Sequence, residues 1–270
     1  MRTAAETAIT RSIVSRGDAR IEVLAQGAGP LTVLIPSLGR GAGDFEDLAG
    51  RLAAAGYRAL RPQPRGIGAS RGPMKSITLH DYARDVAAVV EDNGGGPAVI
   101  VGHAFGNFVA RTTAADFPGL VKAVILLAAT HVWPLPPDVR ASINKSHDMS
   151  LPEDERIRCL KHAFFSPGND PRVWLGGWNE EVMHAERAAT EATPREEWWH
   201  AGKAPILDVL PANDVCTPPG SRNRYREEFG ADRVATNLIP NAGHALLPEQ
   251  PEALARSVLN YLRWLELRNS

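Results

Sequence analysis

Cysteine is scarce in this chain of 270 residues, with Cys159 and Cys216 as its two representatives. They lie far apart and form no C-x-x-C motif, which argues against a disulfide framework or a zinc site and for a reducing, cytoplasmic setting. Excess charge of either sign is missing as well. The 30 Lys and Arg balance 31 Asp and Glu, leaving a formal net charge of -1 and a pI near 6.7. Nucleic acid and anionic membrane surfaces are therefore not expected partners, whereas a small neutral or weakly charged molecule is. Long apolar runs are absent too. The longest purely apolar stretch, Ala123 to Ala129, is far too short to cross a bilayer. Met1 to Asp18 mixes Arg2, Glu6, Arg11 and Arg16 with small residues and holds no continuous apolar segment of signal-peptide length. His131, His147, His162, His184 and His200 show neither H-x-x-x-H nor H-E-x-x-H spacing, so no metal and no cofactor is expected. The sequence sets no oligomeric state.

What the chain does contain is a regular alternation. Arg20 to Leu24 alternates polar and apolar residues, as a half-buried antiparallel strand does, and Leu31 to Ile35 is expected as its hairpin partner across the Gly27 to Pro30 turn. From Leu31 onward, apolar β-branched runs at Leu31 to Ile35, Tyr57 to Pro62, Pro97 to Val101 and Lys122 to Ala129 are separated by helical patterns. One helix starts near Asp44, read as its N-cap, and another at Thr78, with Asp81 three positions on as a capping box. Strict strand and helix alternation implies a mostly parallel sheet with right-handed crossovers and helices on both faces, an α/β fold. The rhythm stops between Thr130 and about Ala204. That segment is helical, split by proline and glycine, and carries Trp133, Trp174, Trp178, Trp198 and Trp199. Those tryptophans admit two readings, ordinary packing or the lining of an apolar pocket. Strands resume at Pro205 to Leu210 and Val234 to Ile239, and a last helix opens at Pro251. The expected organisation is one core built from residues 1–130 and 204–270, with a helical insertion at 131–203.

Ligands of open parallel sheets bind beyond the carboxyl ends of the strands. Three such loops carry candidate residues. After the run Pro97 to Val101, Gly102-His103-Ala104-Phe105-Gly106 has the spacing of a G-x-S-x-G nucleophile elbow, with Ala104 where the serine would stand. Alanine has no atom that can attack a carbonyl. A later loop holds Asn213-Asp214, and the next holds Gly243-His244. Either loop alone is most often a turn, but the chain order elbow, acid, histidine is that of one known nucleophile, acid, base arrangement.

Across nearly its whole length the chain resembles the α/β-hydrolase fold superfamily. The matching pieces are Pro64-Arg65-Gly66-Ile67-Gly68-Ala69-Ser70, similar to the family's R-G-x-G-x-S loop, the Gly102 to Gly106 elbow, Asn213-Asp214 and Gly243-His244. The resemblance implies a helical cap after Ala129, Asp214 as acid, His244 as base, and an oxyanion hole from the backbone N–H groups of Leu38 and Phe105. Two departures accompany it: Ala104 replaces the serine, and Pro36-Ser37 replaces the usual His-Gly after the first parallel strand. Ser37, Arg40, Trp133, Trp174 and Trp178 are the expected substrate-binding residues, with Arg40 and Arg65 as candidates to hold a substrate carboxylate. Ser37 and Cys216 are weaker candidates for an alternative nucleophile, Cys216 being expected as a packed thiol. The elbow lacks the aspartate that dehalogenases and epoxide hydrolases would need, and the insertion lacks a tyrosine. A Rossmann-type nucleotide site is disfavoured, because the strand ending Leu60-Arg61-Pro62 supplies no acid.

Three readings of Ala104 stay open at this stage: a serine replaced by design, a natural site using non-covalent chemistry, or a ligand-binding protein without turnover. In the first two the chain acts on a small carbonyl compound, by hydrolysis of an ester, a lactone or a C–C bond, or by general-base lyase or isomerase chemistry.

Overall fold

The computed structural model describes residues 8–130 and 135–268. Trp133 and His131 lie outside the described residues. Strands β1 (Thr10–Arg16) and β2 (Ala19–Gln26) form an antiparallel hairpin in which Arg16 faces Ala19. The expected pairing of Leu31 to Ile35 with this strand is therefore corrected, since β2 pairs with β1 on one side and with β4 on the other. The sequence hid β1 because only Val14 of its seven residues is buried, so no apolar alternation marks it.

The alternating part follows as expected. After β3 (Leu31–Ile35) come α1 (Glu46–Ala54), β4 (Arg58–Pro62), α2 (Leu79–Asp92), β5 (Ala98–His103), α3 (Gly106–Asp116) and β6 (Val121–Leu127). Four helices then intervene, α4 (Pro137–Ser146), α5 (Glu153–Ala163), α6 (Glu180–Ala192) and α7 (Arg195–Trp198), with no strand among the described residues. The chain closes with β7 (Ile206–Pro211), α8 (Arg224–Phe229), β8 (Val234–Ile239), α9 (Leu246–Glu249) and α10 (Pro251–Leu267). Among the described residues no helix is long and apolar enough to cross a membrane.

The sheet has eight strands in the order β1-β2-β4-β3-β5-β6-β7-β8, parallel from β4 to β8. Strands β3 and β5 are neighbours, yet the chain leaves β3 towards β4 and comes back on the other side to build β5. The order reverses there, opening a crevice at the carboxyl ends of β3 and β5. Both faces are covered, as continuous apolar strands require. Ile100 and Leu126 pack on one side with α2 and α3, while Val101 and Ile125 pack on the other with α1 and α10. Each such side chain, essentially fully buried, contributes about 1.5–3 kcal/mol.

Two helix starts illustrate the local chemistry. At α2 the capping box forms, with the Thr78 N–H donating to Asp81 at 2.8 Å. At α1 it does not. Asp44 sits inside a 3-10 turn, Ala42–Phe45, and the helix begins at Glu46, because the Asp44 carboxylate is taken by Arg40 at 2.8 Å.

Candidate active site

The elbow is sterically determined. Ala104 has φ +49°, a left-handed conformation that costs an L residue about 1–2 kcal/mol. The glycines around it are obligatory: a Cβ at Gly102 would collide with the Gly106 carbonyl, and one at Gly106 with the carbonyl of Ile35. The strained turn is fastened from beneath. Its Ala104 N–H donates to Leu127 at 3.1 Å, and the Asn107 side chain bonds both backbone groups of Leu127, at 2.9 and 3.2 Å. Asn107 went unnoticed in the sequence, although a polar side chain in the first turn of a buried helix was its signal.

Asp214 and His244 arrive from consecutive parallel strands. Asp214 follows β7, His244 follows β8, and the two loops are joined by Asn213 N–H donating to Ala242 at 2.8 Å. His244 Nδ1 donates to Asp214 Oδ2 at 3.0 Å, both side chains being buried. The other carboxylate oxygen accepts the Cys216 N–H at 2.8 Å. Burial alone would discharge the His244 ring, but Asp214 and Cys216 together outweigh it and hold the imidazole well above its ordinary range.

His103, next to Ala104, ties the elbow to this pair. Its Nε2–H donates to the His244 carbonyl at 2.8 Å, and the two rings lie 5.6 Å apart. Complete burial drives the His103 pKa down to about 3, so the ring is neutral and serves as a strut. The structure thus brings the elbow, the acid and the histidine to one sheet edge.

Aromatic residues of the helical insertion wall this edge. Phe164 stands 5.7 Å from the His244 ring, Trp174 5.9 Å from His103, and Trp178 5.9 Å from Phe164. Trp198 and Trp199 take the other expected role and pack around Arg111. Arg40 is held on every side. Its guanidinium grips Asp44, donates to the Gly176 carbonyl at 3.1 Å and lies 4.5 and 4.7 Å from the rings of Trp174 and Trp178. Asp44 pairs with Arg40, and Asp85 with Arg65, the latter at 2.7 and 2.9 Å. Ser37 is buried, and its carbonyl accepts the Arg40 N–H in a turn at 3.1 Å. Leu38 follows it beyond β3, half-buried, and Phe105 is the N-cap residue of α3 beyond β5.

Among the described residues, Asp214, Cys216 and His244 are a group whose ligand atoms all lie within 4.8 Å of one another. Burial pushes the Cys216 thiol up.

Comparison with known proteins bears on the family and the fold. Residues 32–257 match the family model described as the alpha/beta hydrolase family. BpoC of Mycobacterium tuberculosis, which bears a provisional non-heme bromoperoxidase name, is 28% identical over 226 residues, covering 77% of this chain and 84% of BpoC. The 2-(acetamidomethylene)succinate hydrolase of Mesorhizobium japonicum is 31% identical over 117 residues, 43% of this chain and 42% of that enzyme. The solved esterase of Exiguobacterium antarcticum superposes with a TM-score of 0.76 at 17% identity, covering 94% of this chain and all of the esterase (100%).

Proposed function

The chain belongs to the alpha/beta hydrolase family, and from that premise we propose that it activates a small carbonyl compound, an ester, a lactone or a β-diketone, by general-base chemistry without a covalent intermediate. The observation that carries this reading is the buried His244–Asp214 hydrogen bond of 3.0 Å beside an elbow whose tip is Ala104. His244 in its neutral form takes a proton from water, or from a substrate C–H or O–H, as charge develops on the substrate oxygen. Asp214 fixes the tautomer and stabilises the imidazolium that results. The Leu38 and Phe105 amides receive the oxyanion, and when water is the nucleophile His244 returns the proton to the leaving group. A positioned base typically contributes 10²–10⁴-fold and an oxyanion donor about 10²–10³-fold, so useful rates are within reach without a serine.

In this reading residues 131–203 act as a cap over a core of residues 1–130 and 204–270, with Trp174 and Trp178 in the substrate wall. The relative named as a 2-(acetamidomethylene)succinate hydrolase supports the substrate class. Retention of the acid and histidine favours an enzyme over a ligand-binding protein, which has no use for the pair. Turnover of an ester and lactone panel by the unsubstituted protein and by His244→Ala tests it. Loss of turnover in the variant, with the fold intact, is expected. Unchanged turnover and ligand affinity would remove the enzyme reading.

A further inference from the structure

The crevice loop that carries Leu38 is clasped at one residue by the helical insertion. Gly39 donates its N–H to Glu186 Oε2 at 2.6 Å and accepts the Asn179 N–H at its carbonyl at 2.8 Å. Both partners belong to α6, Asn179 as its N-cap and Glu186 about two turns further along the same face. Gly39 has φ +65°, and a Cβ there would press on Met183 Cβ and the Asn179 carbonyl, so the contact is as close as a backbone allows. Glu186 is 1% exposed. An isolated buried carboxylate is costly, and no cation pairs with this one among its recorded partners. Burial pushes its carboxyl well above the usual carboxylate range, against the smaller opposing effect of the Gly39 N–H.

Beneath the clasp lies a small cavity of about 40 Å³, lined among others by Glu186, Tyr82, Arg65 and Asp85. Arg65 and Asp85 satisfy each other, whereas the buried Tyr82 hydroxyl has no hydrogen-bond partner among the described residues. A cavity of that size accommodates water between the Tyr82 hydroxyl and the Glu186 carboxyl, each of which needs a partner.

We propose that Glu186 is a positioning residue, a carboxyl supplied by the insertion that fixes the Gly39 peptide and, through it, the direction of the Leu38 N–H. It touches no reacting atom. This inference rests on the reading of Leu38 as an oxyanion donor and deepens it: the donor is in place only while α6 is seated against Gly39.

Amide hydrogen exchange on the full-length protein tests the clasp directly. In the unsubstituted protein the Gly39 amide, resolved by NMR, is expected to exchange at least tenfold more slowly than exposed loop amides such as that of Gly96. Exchange at the exposed-loop rate overturns the proposal with no variant needed. Glu186→Gln keeps an acceptor of the same reach and should retain slow exchange. Glu186→Met keeps the volume but removes the acceptor, and should accelerate exchange of residues 36–43 about tenfold, with the elbow unchanged. Faster exchange in Glu186→Gln, or wild-type exchange in a folded Glu186→Met protein, would also overturn it. In an Ala104→Ser background, Glu186→Met should lower kcat for a p-nitrophenyl ester about tenfold while KM moves less than twofold. The two readings fail separately. An Ala104→Ser protein inactive on every ester, with Gly39 still protected, removes the oxyanion role of Leu38 and leaves the clasp. Unprotected Gly39 removes the clasp whatever the ester assay gives.

Discussion

His244 Nδ1 and Asp214 Oδ2 lie 3.0 Å apart in a buried site, and the second oxygen of that carboxylate is already occupied by the Cys216 amide. The imidazole is therefore oriented by the Asp214 carboxylate and raised in basicity by Asp214 and Cys216.

A pH profile follows from that pair. Burial opposes the charged ring, but Asp214, the larger raising influence, and Cys216 together hold His244 well above its ordinary value of 6.5. A base must be neutral to accept a proton, so kcat/KM should climb as pH rises through that raised pKa. Asp214→Asn removes the counter-charge, and its rising limb should shift to lower pH while kcat falls about 10²–10⁴-fold. Profiles between pH 5 and 10 check this, and superimposable profiles for the two proteins would contradict it.

Ala104→Ser should restore covalent chemistry. The tip is held at φ +49° by its glycines whichever residue occupies it, so the new Oγ should come within reach of His244 Nε2. The variant is expected to label with a fluorophosphonate probe and to hydrolyse short p-nitrophenyl esters, with the unsubstituted protein unlabelled at this position. A folded variant that neither labels nor turns over would show that the loop around Leu38 does not complete a serine hydrolase.

His80 makes a pH-dependent brace. Its Nδ1 and Nε2 lie 2.7 Å from Asp116 and 2.7 Å from Glu197, linking α2 to the end of α3 and to α7 of the insertion. Burial lowers its pKa, but the two carboxylates outweigh this and the net shift is upward. The folded pKa is thus above the unfolded one. The stabilisation is fully present below about pH 6.5 and is lost as pH rises through the folded value. His80→Gln should lower Tm at pH 5.5 and have little effect at pH 9, and added salt should shrink the difference because the brace is partly exposed. A Tm difference that does not vary with pH would refute this account.

Arg111 carries a structural prediction. It is fully buried on α3, with its guanidinium carbon 4.9–5.6 Å from the rings of Phe108, Trp198, Trp199 and Tyr225, and Asp208 on β7 acts on its charge. Arg111→Met retains bulk but removes the guanidinium packed against these four rings, which should cost about 1–2 kcal/mol in urea unfolding. An unchanged urea midpoint would mean that the rings gain nothing from the buried charge.

The alternation from Leu31 onward was legible because strands covered on both faces are continuously apolar, and the elbow because its two glycines are demanded by local sterics. Those properties belong to short stretches of chain, so the order of elements, the α/β class and the positions of Ala104, Asp214 and His244 could be read from residues alone. Strand β1 could not, because an exposed edge strand leaves no apolar pattern. Nor could the true partners of Arg40, Arg65 and Gly39 be read, since a charge or a peptide group can meet many candidates, and only packing decides which one lies within hydrogen-bonding distance. The sequence by itself determined the socket, through backbone conformations that few residues tolerate. Tertiary structure alone decided that Asp44 and Asp85 neutralise the two arginines, and that Glu186, 147 residues away along the chain, bonds the loop beside the candidate site. The reason is that pairings across such separations are fixed by the burial of whole helices, not by any local preference of the residues that meet.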